Sequence, residues 1–180
     1  MAALLAGLVV FALLALLVLT LLDADRDSDD VSGFATVAIW FSYLVHADTV
    51  LTAAYISFGR LSFLPATPLL ILGLAVSAVG FAIFLWSSIT ISRAGGFAGL
   101  VSTRLVTEGP YARSRHPQDL GWAMMLIGIA ISGRSLVSLA LVALFAWFAS
   151  RLWRADEKGL HKRFGAAYDR YRASTPLFAR

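Results

Sequence analysis

Cysteine is absent from the 180 residues of this chain. Its absence excludes disulfides, thiolate metal sites, iron–sulfur clusters and a cysteine nucleophile. The three histidines, at positions 46, 116 and 161, lack the close spacing of a zinc-binding helix, so we expect no metal site. The sequence also lacks a GxGxxG turn between a strand and a helix, the usual dinucleotide-binding unit of soluble domains.

Charge is scarce and unevenly placed. Charged residues make up 14% of the chain, against roughly a quarter in soluble domains, and 59% of the residues are hydrophobic. Only Arg26 and Arg60, of 15 basic residues, precede residue 90. These features predict an integral membrane protein whose basic half contacts anionic lipid. They do not favour nucleic acid as a partner, because no basic face lies away from the membrane.

Long apolar runs predict an all-α integral membrane protein with one membrane domain over residues 1–180. The run near the N-terminus is too long for a signal-peptide core and has no basic residues before it. We expect about five transmembrane helices, a long cytoplasmic loop and a C-terminal amphipathic helix. The expected spans are 2–22, 33–58, 68–91, 118–132 and 135–153.

Several local signals refine this picture. The acidic segment 23–30 is typical of a solvated loop, and Gly73, Ser77 and Gly80 suit close helix packing. Pro117 suits the first turn of a helix, and residues 133–135 form a tight turn. The fourth span is short, so we expect its entry to lie partly within the bilayer. From Arg151 onward the pattern is that of an amphipathic helix.

Basic residues also predict the orientation. The positive-inside rule places the loop at 92–117 and the C-terminus in the cytoplasm. Five passes then place the N-terminus outside, in the plasma membrane or, for a bacterial protein, the inner membrane. The oligomeric state cannot be read from the sequence.

The second span carries two ionisable residues, His46 and Asp48. Such groups are costly within a membrane and by default face a cavity or a partner. We favour a buried polar contact between helices over a role in substrate binding, and both hypotheses stay open.

Two polar segments, residues 104–122 and 151–176, are both expected on the cytoplasmic side. The first offers Arg113, Arg115 and His116, and the second offers Asp156 and Glu157. Arginine binds carboxylates through paired hydrogen bonds, and a carboxylate accepts from a ribose diol or an ammonium group. These residue types predict a pocket for a polar cofactor beside a cavity accessible from lipid.

Both segments carry recognisable motifs. Residues 105–121 read LVTEGPYARSRHPQDLG and resemble the GPYxxxRHPxYxG signature of the isoprenylcysteine carboxyl methyltransferase family. Membrane phospholipid N-methyltransferases share this signature more loosely. Residues 156–176 read DEKGLHKRFGAAYDRYRASTP and resemble the EExxLxxxFGxxYxxYxxxxP tail of the same family. The chain departs from these patterns at Asp119, usually aromatic, at Asp156, usually glutamate, and at Leu177, commonly arginine.

The resemblance implies S-adenosylmethionine as cofactor, with S-adenosylhomocysteine as product and no metal. It implies catalytic roles for Arg115, His116 and Glu157. The residues it assigns to the cofactor are Tyr111, Arg113, Arg115, His116, Pro117, Leu120, Gly121, Asp156, Glu157, Tyr168 and Tyr171. Candidate substrate contacts are His46, Asp48, Asp119 and Trp122.

The methyl acceptor implied by the resemblance is a lipophilic or small molecule. An isoprenylcysteine-type carboxylate, an isoprenoid acid, a lipid amine and a thiol all remain open. Two other functions are also open: an NADPH-dependent membrane reductase of the sterol-reductase type, and a non-catalytic membrane scaffold. Cofactor binding would discriminate among the three.

Overall fold

The structure, a computed structural model, describes residues 1–24, 33–57, 65–94 and 104–178. These ranges are helical and contain no strand, which confirms the all-α prediction. Most of the acidic segment at 23–30, and the part of the long loop at 95–103, lie outside the described residues. The helices are α1 Ala2–Ala24, α2 Gly33–Ser57, α3 Ala66–Arg93, α4 Pro117–Ser132, α5 Leu136–Phe164 and α6 Ala166–Ser174, with a 3-10 turn at Gly109–Ala112 before α4.

Four of the described helices, α1, α2, α3 and α5, are long and apolar enough to cross a membrane. The fourth predicted span, 118–132, forms α4, which has only 16 residues and is about 24 Å long. A bilayer core is roughly 30 Å thick. Four of the five predicted spans are therefore long enough to cross a membrane alone, and the crossing by α4 stays a prediction.

Helix α5 continues well beyond the predicted end of its apolar run. It passes without a break from Leu136 to Phe164, so the fifth predicted span and the start of the predicted amphipathic segment form one helix. The sequence becomes more polar after about residue 153. The backbone nevertheless continues to make helical hydrogen bonds, because charged residues such as lysine, arginine and glutamate are also good helix formers. The break comes at Gly165, whose φ of +48° suits glycine, and the rest of the predicted amphipathic segment forms α6.

Helices α3 and α4 pack backbone against backbone. A Cβ atom added to Gly80 would lie 2.6 Å from the carbonyl oxygen of Gly121, and one added to Gly121 would lie 2.6 Å from that of Gly80. Gly73 and Gly128 oppose each other in the same way, and Ser77 Oγ donates to the Met125 carbonyl at 3.0 Å. The predicted close packing by small residues of the third span is confirmed, and it occurs within the chain.

The remaining core lies where α1 and α5 meet α2. Phe11 packs on Phe148 and on the His46 ring, and His46 also stacks near Phe145. His46 Nε2 lies 2.9 Å from the carbonyl oxygen of Leu141. This arrangement gives the buried histidine both aromatic contacts and a polar contact between two helices.

The turn between α4 and α5 follows the predicted pattern. Arg134 has a positive φ of 49°, and Ser135 caps α5 by accepting a hydrogen bond from the Ser138 N–H at 3.1 Å. Ser135 also contacts Ser57, the last residue of α2, at 3.1 Å. The turn therefore lies level with the C-terminal end of α2.

The other end of α4 is recessed within the bundle. As predicted, α4 begins at Pro117. Asp119 in its first turn binds Tyr43, which lies ten residues after Gly33 at the start of α2. At 1.5 Å per residue, α2 extends about 15 Å beyond that level. The residues at the start of α4 are thus placed deep between longer helices.

Candidate functional site

The C-terminal tail docks on the loop that precedes α4. The Arg115 N–H donates to the Pro176 carbonyl at 3.1 Å, and Ser114 Oγ donates to the Leu177 carbonyl at 2.8 Å. Tyr171 Oη in α6 donates to the Tyr111 carbonyl at 2.7 Å. These contacts join the two segments that carry the motifs, although they lie about 60 residues apart in sequence.

The Gly-Pro-Tyr sequence forms the 3-10 turn that shapes this loop. Gly109 has a φ of +61°, and Pro110 occupies the start of the turn, where no backbone N–H is needed. Tyr111 is buried, and its hydroxyl donates to Gln118 Oε1 at 3.3 Å. Gln118 in turn donates to Ser88 of α3 at 3.0 Å. The turn is thereby fixed to the bundle.

An ionic cluster lies where the loop, α4 and α5 meet. Arg115 Nη1 is 2.7 Å from Glu157 Oε1, with side chains that are 12% and 18% exposed. His116 Nε2 faces the same carboxylate at 3.6 Å, and its Nδ1 faces Asp156 Oδ2 at 3.8 Å and Asp119 Oδ2 at 4.0 Å. His116 is therefore surrounded by three carboxylates. Of these, Glu157 also pairs with the guanidinium of Arg115.

Asp119 is held by two neighbouring helices. Tyr43 Oη of α2 donates to its Oδ1 at 2.8 Å, and the Trp153 indole N–H of α5 donates to its Oδ2 at 2.6 Å. Trp153 also lies beside the His116 ring, with 5.8 Å between ring centroids. The position of the carboxylate on α4 is thus set by side chains from two other helices.

Several buried polar atoms of this cluster lack hydrogen bonds. Within the described part of the chain, these atoms are Arg115 Nε and Nη1, His116 Nε2, Glu157 Oε1 and Tyr168 Oη. The ion pair of Arg115 and Glu157 is close but poorly aligned for hydrogen bonding. Since buried polar groups are nearly always hydrogen-bonded, so many in one place indicate a site that binds a polar ligand.

The surroundings of His116 favour its protonated form. The side chain is only 7% exposed, and burial on its own lowers the pKa. Contact with the Glu157 carboxylate and the charges of Asp156 and Asp119 outweigh burial, so the pKa of His116 is raised above its ordinary value of 6.5. The histidine is therefore charged over a wider pH range than in water.

The two tyrosines of α6 are neutral hydroxyl groups in this site. Burial, helped by the charge of Glu157, raises the pKa of Tyr168 to about 12. Burial also raises the pKa of Tyr171, and the neighbouring Tyr168 adds to that effect. Both hydroxyls remain protonated near pH 7. Tyr171 uses its proton within the protein, whereas Tyr168 has the unpaired oxygen noted above.

The other residues assigned to the cofactor occupy varied places. Pro117 is fully buried and Leu120 is half-buried, both in the first turn of α4. Gly121 packs against Gly80 and Phe84 of α3, so its missing side chain serves the helix contact. Arg113 is exposed on the surface of the loop, and the Asp156 side chain is 47% exposed at the rim of the cluster.

The candidate substrate residues separate into two groups. Asp119 and the buried Trp122 adjoin the cluster, and the Trp122 rings lie 5.8 Å from Tyr43 and 5.3 Å from Phe84. His46 makes the interhelical contact already described. Asp48 is exposed on the outward face of α2.

Sequence reasoning missed Tyr43 and Trp153, the two residues that hold Asp119. Trp153 lies four residues before Glu157, and this helical spacing places both on one face. That spacing was a usable signal. Tyr43 lies 76 residues before Asp119, within an apolar span, and offered none.

Comparison with known proteins identifies the family. The sequence model of the family described as phospholipid methyltransferase matches residues 68–167, which is more than half of the chain. The chain belongs to the phospholipid methyltransferase family. The matched range includes nearly all of α3 and the whole of α4 and α5, and with them Arg115, His116 and Glu157. The resemblance drawn from the two motifs is thereby confirmed.

Two curated proteins are similar to this member of the family. The protein-S-isoprenylcysteine O-methyltransferase of Schizosaccharomyces pombe is 32% identical over 110 residues, covering 56% of this chain and 47% of that protein. The nickel-cobalt-cadmium resistance protein NccN of Alcaligenes xylosoxydans xylosoxydans is 30% identical over 132 residues, covering 73% of this chain and 52% of that protein. The chain thus spans about half the length of these relatives. No solved structure matches it.

Proposed function

We propose that this protein is a membrane methyltransferase that uses S-adenosylmethionine. The observation that carries the proposal is the set of buried, unpaired polar atoms on Arg115, His116, Glu157 and Tyr168. They lie where the two motif segments meet, within a chain of the phospholipid methyltransferase family. Family membership favours methyl transfer over reduction by NADPH. Family membership does not by itself exclude a non-catalytic scaffold. The buried polar atoms without hydrogen bonds favour a site that binds a ligand over such a scaffold.

The donors and acceptors of the cluster fit this cofactor. Arg115 Nε and Nη1 are donors suited to the carboxylate of the methionine portion, and Glu157 Oε1 is an acceptor suited to an ammonium group or a ribose hydroxyl. Tyr168 adds a neutral hydroxyl. When bound, S-adenosylmethionine supplies an electrophilic methyl group on a sulfonium sulfur and is converted to S-adenosylhomocysteine.

The chain's own contribution is alignment, exclusion of water and electrostatics. Arg115 and Glu157 fix the polar ligand, and the buried surroundings of the cluster limit the access of water. His116 lies between Glu157 and Asp156 and can hold a proton at Nε2 or Nδ1. For an acceptor that must lose a proton before it reacts, His116 or Glu157 is the candidate base.

The acceptor is proposed to be lipophilic or small. The similar yeast protein is named for methylation of S-isoprenylcysteine, and a prenylated carboxylate, an isoprenoid acid, a lipid amine and a thiol are the classes considered. The recessed start of α4, with Asp119 and the buried Trp122 between the longer helices, supports an acceptor site at this position. These residues are the proposed acceptor contacts.

The proposed orientation places the site in the cytoplasm and the N-terminus outside. Most basic residues follow residue 90, as the positive-inside rule requires for cytoplasmic segments. The turn between α4 and α5 lies level with the end of α2, so α4 and α5 leave and return to the same side. The short α4 is therefore compatible with this orientation.

Calorimetric titration of the detergent-purified protein with S-adenosylmethionine, and separately with NADPH, tests the proposal. We expect saturable binding of S-adenosylmethionine only. Glu157→Gln retains the size of the side chain but removes its charge, and should weaken binding by roughly tenfold or more, since one charged hydrogen bond contributes about 1.5–3 kcal/mol.

A matched control uses the exposed Glu108, which pairs with Arg104 on the surface. Glu108→Gln should leave the affinity within about twofold. Binding of NADPH alone would indicate the reductase, and a folded protein that binds neither compound would indicate the scaffold. Either result overturns the proposal.

A further inference from the structure

The ionic cluster is asymmetric about His116. On one side Nε2 faces Glu157, whose charge is balanced by Arg115 at 2.7 Å. On the other side Nδ1 faces Asp119 and Asp156, and in the described residues no arginine or lysine is recorded in an ion pair with either carboxylate. The side that includes Asp119 is therefore the more negative one.

The hydrogen bonds to Asp119 preserve its negative charge. The indole N–H of Trp153 can only donate, and it contacts Oδ2 at 2.6 Å. Tyr43 donates to the other oxygen at 2.8 Å. An ionised carboxylate accepts at both oxygens, so this arrangement matches the ionised form, and two neutral donors orient its charge without cancelling it.

Asp119 also lies beside aromatic side chains of the core, in the recessed first turn of α4. Its hydrogen bond to Tyr43 sets it about 15 Å along the bundle from the start of α2 at Gly33. One turn further along α4, the buried Trp122 packs against Tyr43 and Phe84. In the proposed enzyme, an acceptor bound beside these aromatic side chains would present its polar group to Asp119 and His116.

We propose that Asp119 is a specificity-determining residue that selects acceptors with a neutral or cationic reacting group and disfavours carboxylates. The inference rests on the methyltransferase function proposed above. A carboxylate acceptor would be placed beside a fixed charge of the same sign, whereas an ammonium, amine or thiol would find a hydrogen-bond acceptor. The acceptor class would then differ from that of a carboxyl methyltransferase.

The proton balance of such a reaction gives Asp119 a defined role. A protonated amine or a thiol releases its proton to water, directly or through the candidate base His116 or Glu157, while the Asp119 carboxylate accepts a hydrogen bond from the reacting group and orients it. The freed lone pair on nitrogen or sulfur forms the bond to the methyl carbon while the bond from that carbon to the sulfonium sulfur breaks. The electron pair of the broken bond remains on the leaving sulfur.

Three amphiphiles with the same sixteen-carbon tail test the proposal: hexadecylamine, hexadecanethiol and hexadecanoate. Methyl transfer from labelled S-adenosylmethionine is measured for each with the protein in nanodiscs. We expect kcat/KM for the amine or the thiol to exceed that for the carboxylate by roughly tenfold or more, the effect of about 1.4 kcal/mol. Asp119→Asn, which retains size and an oxygen for Trp153, should reduce this ratio by a similar factor.

Binding provides a second readout that does not depend on turnover. Quenching of tryptophan fluorescence, with Trp122 and Trp153 beside the site, reports binding of the amine and of the carboxylate without cofactor. The wild-type protein should prefer the amine, and Asp119→Asn should lose that preference. Asp169→Asn, at an exposed residue paired with His161, is the matched control and should retain it.

The two proposals fail in different ways. Absence of S-adenosylmethionine binding would refute the proposed function, and the amphiphile binding would still decide the role of Asp119. Normal cofactor binding together with a preference for the carboxylate, or with a preference unchanged in Asp119→Asn, would overturn the role of Asp119 alone. The melting temperature of Asp119→Asn shows whether this variant folds. If it does not fold, the preference of the wild-type protein for the amine over the carboxylate decides whether the proposal stands.

Discussion

Helix α4 takes part in two regions built on opposite principles. Along most of its length it packs on α3 through glycines, with backbones in contact and no ionisable side chain recorded in the described part of that interface. At its first turn it joins an ionic cluster with several buried atoms that lack hydrogen bonds. The first region is organised for stability. The second retains costly groups, as expected where a protein binds a ligand.

The glycine interface should be the more sensitive to added volume. A Cβ atom on Gly121 would lie 2.5 Å from the Phe84 nitrogen and 2.6 Å from the Gly80 oxygen, both backbone atoms that cannot rotate away. We expect Gly121→Ala to lower the free energy of unfolding by about 3 kcal/mol, at the upper end for overpacking. Thermal unfolding in detergent measures this effect.

Gly159 is the matched control for that substitution. It lies within α5, and nothing stands within 4 Å of a Cβ atom added there. Gly159→Ala should raise stability by up to about 1 kcal/mol, because alanine favours the helix. Equal stability of both variants would show that α3 and α4 are not in tight contact.

Breaking the ion pair should have the next largest effect. Glu157→Gln leaves Arg115 without its neighbouring charge, and the free energy of unfolding should fall by about 2 kcal/mol, less than for a fully buried pair because both side chains retain some exposure. The double variant Arg115→Met, Glu157→Gln should recover most of this stability but bind no S-adenosylmethionine. A double variant that is less stable than the single one would indicate that the pair has a structural role.

A smaller effect distinguishes the two tyrosines of α6. Tyr168→Phe removes a buried hydroxyl that has no hydrogen bond with the described residues, so stability should rise by up to about 1 kcal/mol while cofactor binding weakens. Tyr171→Phe removes the hydrogen bond to the Tyr111 carbonyl and should lower stability by about 1 kcal/mol. Chemical unfolding of both variants would reveal opposite signs, and a loss of stability in both would contradict the ligand-binding interpretation.

The smallest expected effect is a pH dependence of stability. The pKa of His116 is raised in the folded state, so its protonation stabilises the fold fully below about pH 6.5. This contribution is lost as the pH rises through the folded-state value, which lies above 6.5. The melting temperature of the wild-type protein should fall more over that range than that of His116→Gln. Parallel profiles for the two proteins would refute the assignment.

Much of the fold could be predicted because lipid imposes simple rules. The starts of α1, α2 and α4 lie within a residue or two of their predicted positions, since apolar runs and Pro117 mark them directly. The end of α5 could not be predicted in this way. Hydropathy reports the surroundings of a helix, whereas a helix ends where its backbone changes conformation, here at Gly165.

For the site, the sequence predicted the main residues but not the contacts that hold them in place. Two motifs indicated Arg115, His116 and Glu157, and the structure brings these residues together. The restraint of Asp119 by Tyr43 and Trp153 was not predictable, because those contacts join residues 76 and 34 positions apart on three helices. Such pairings depend on which helices pack together and in which register, and neither can be derived from the pattern of a single sequence.

The recessed start of α4 has a consequence for kinetics. For the lipophilic acceptor proposed above, the depth of Asp119, about 15 Å from the start of α2, predicts an approach from the bilayer without prior extraction into water. The relevant concentration is then the mole fraction of acceptor among the surrounding lipids. Diluting the membrane with inert phospholipid should slow the reaction at a constant total amount of acceptor, whereas diluting the whole suspension with buffer should not.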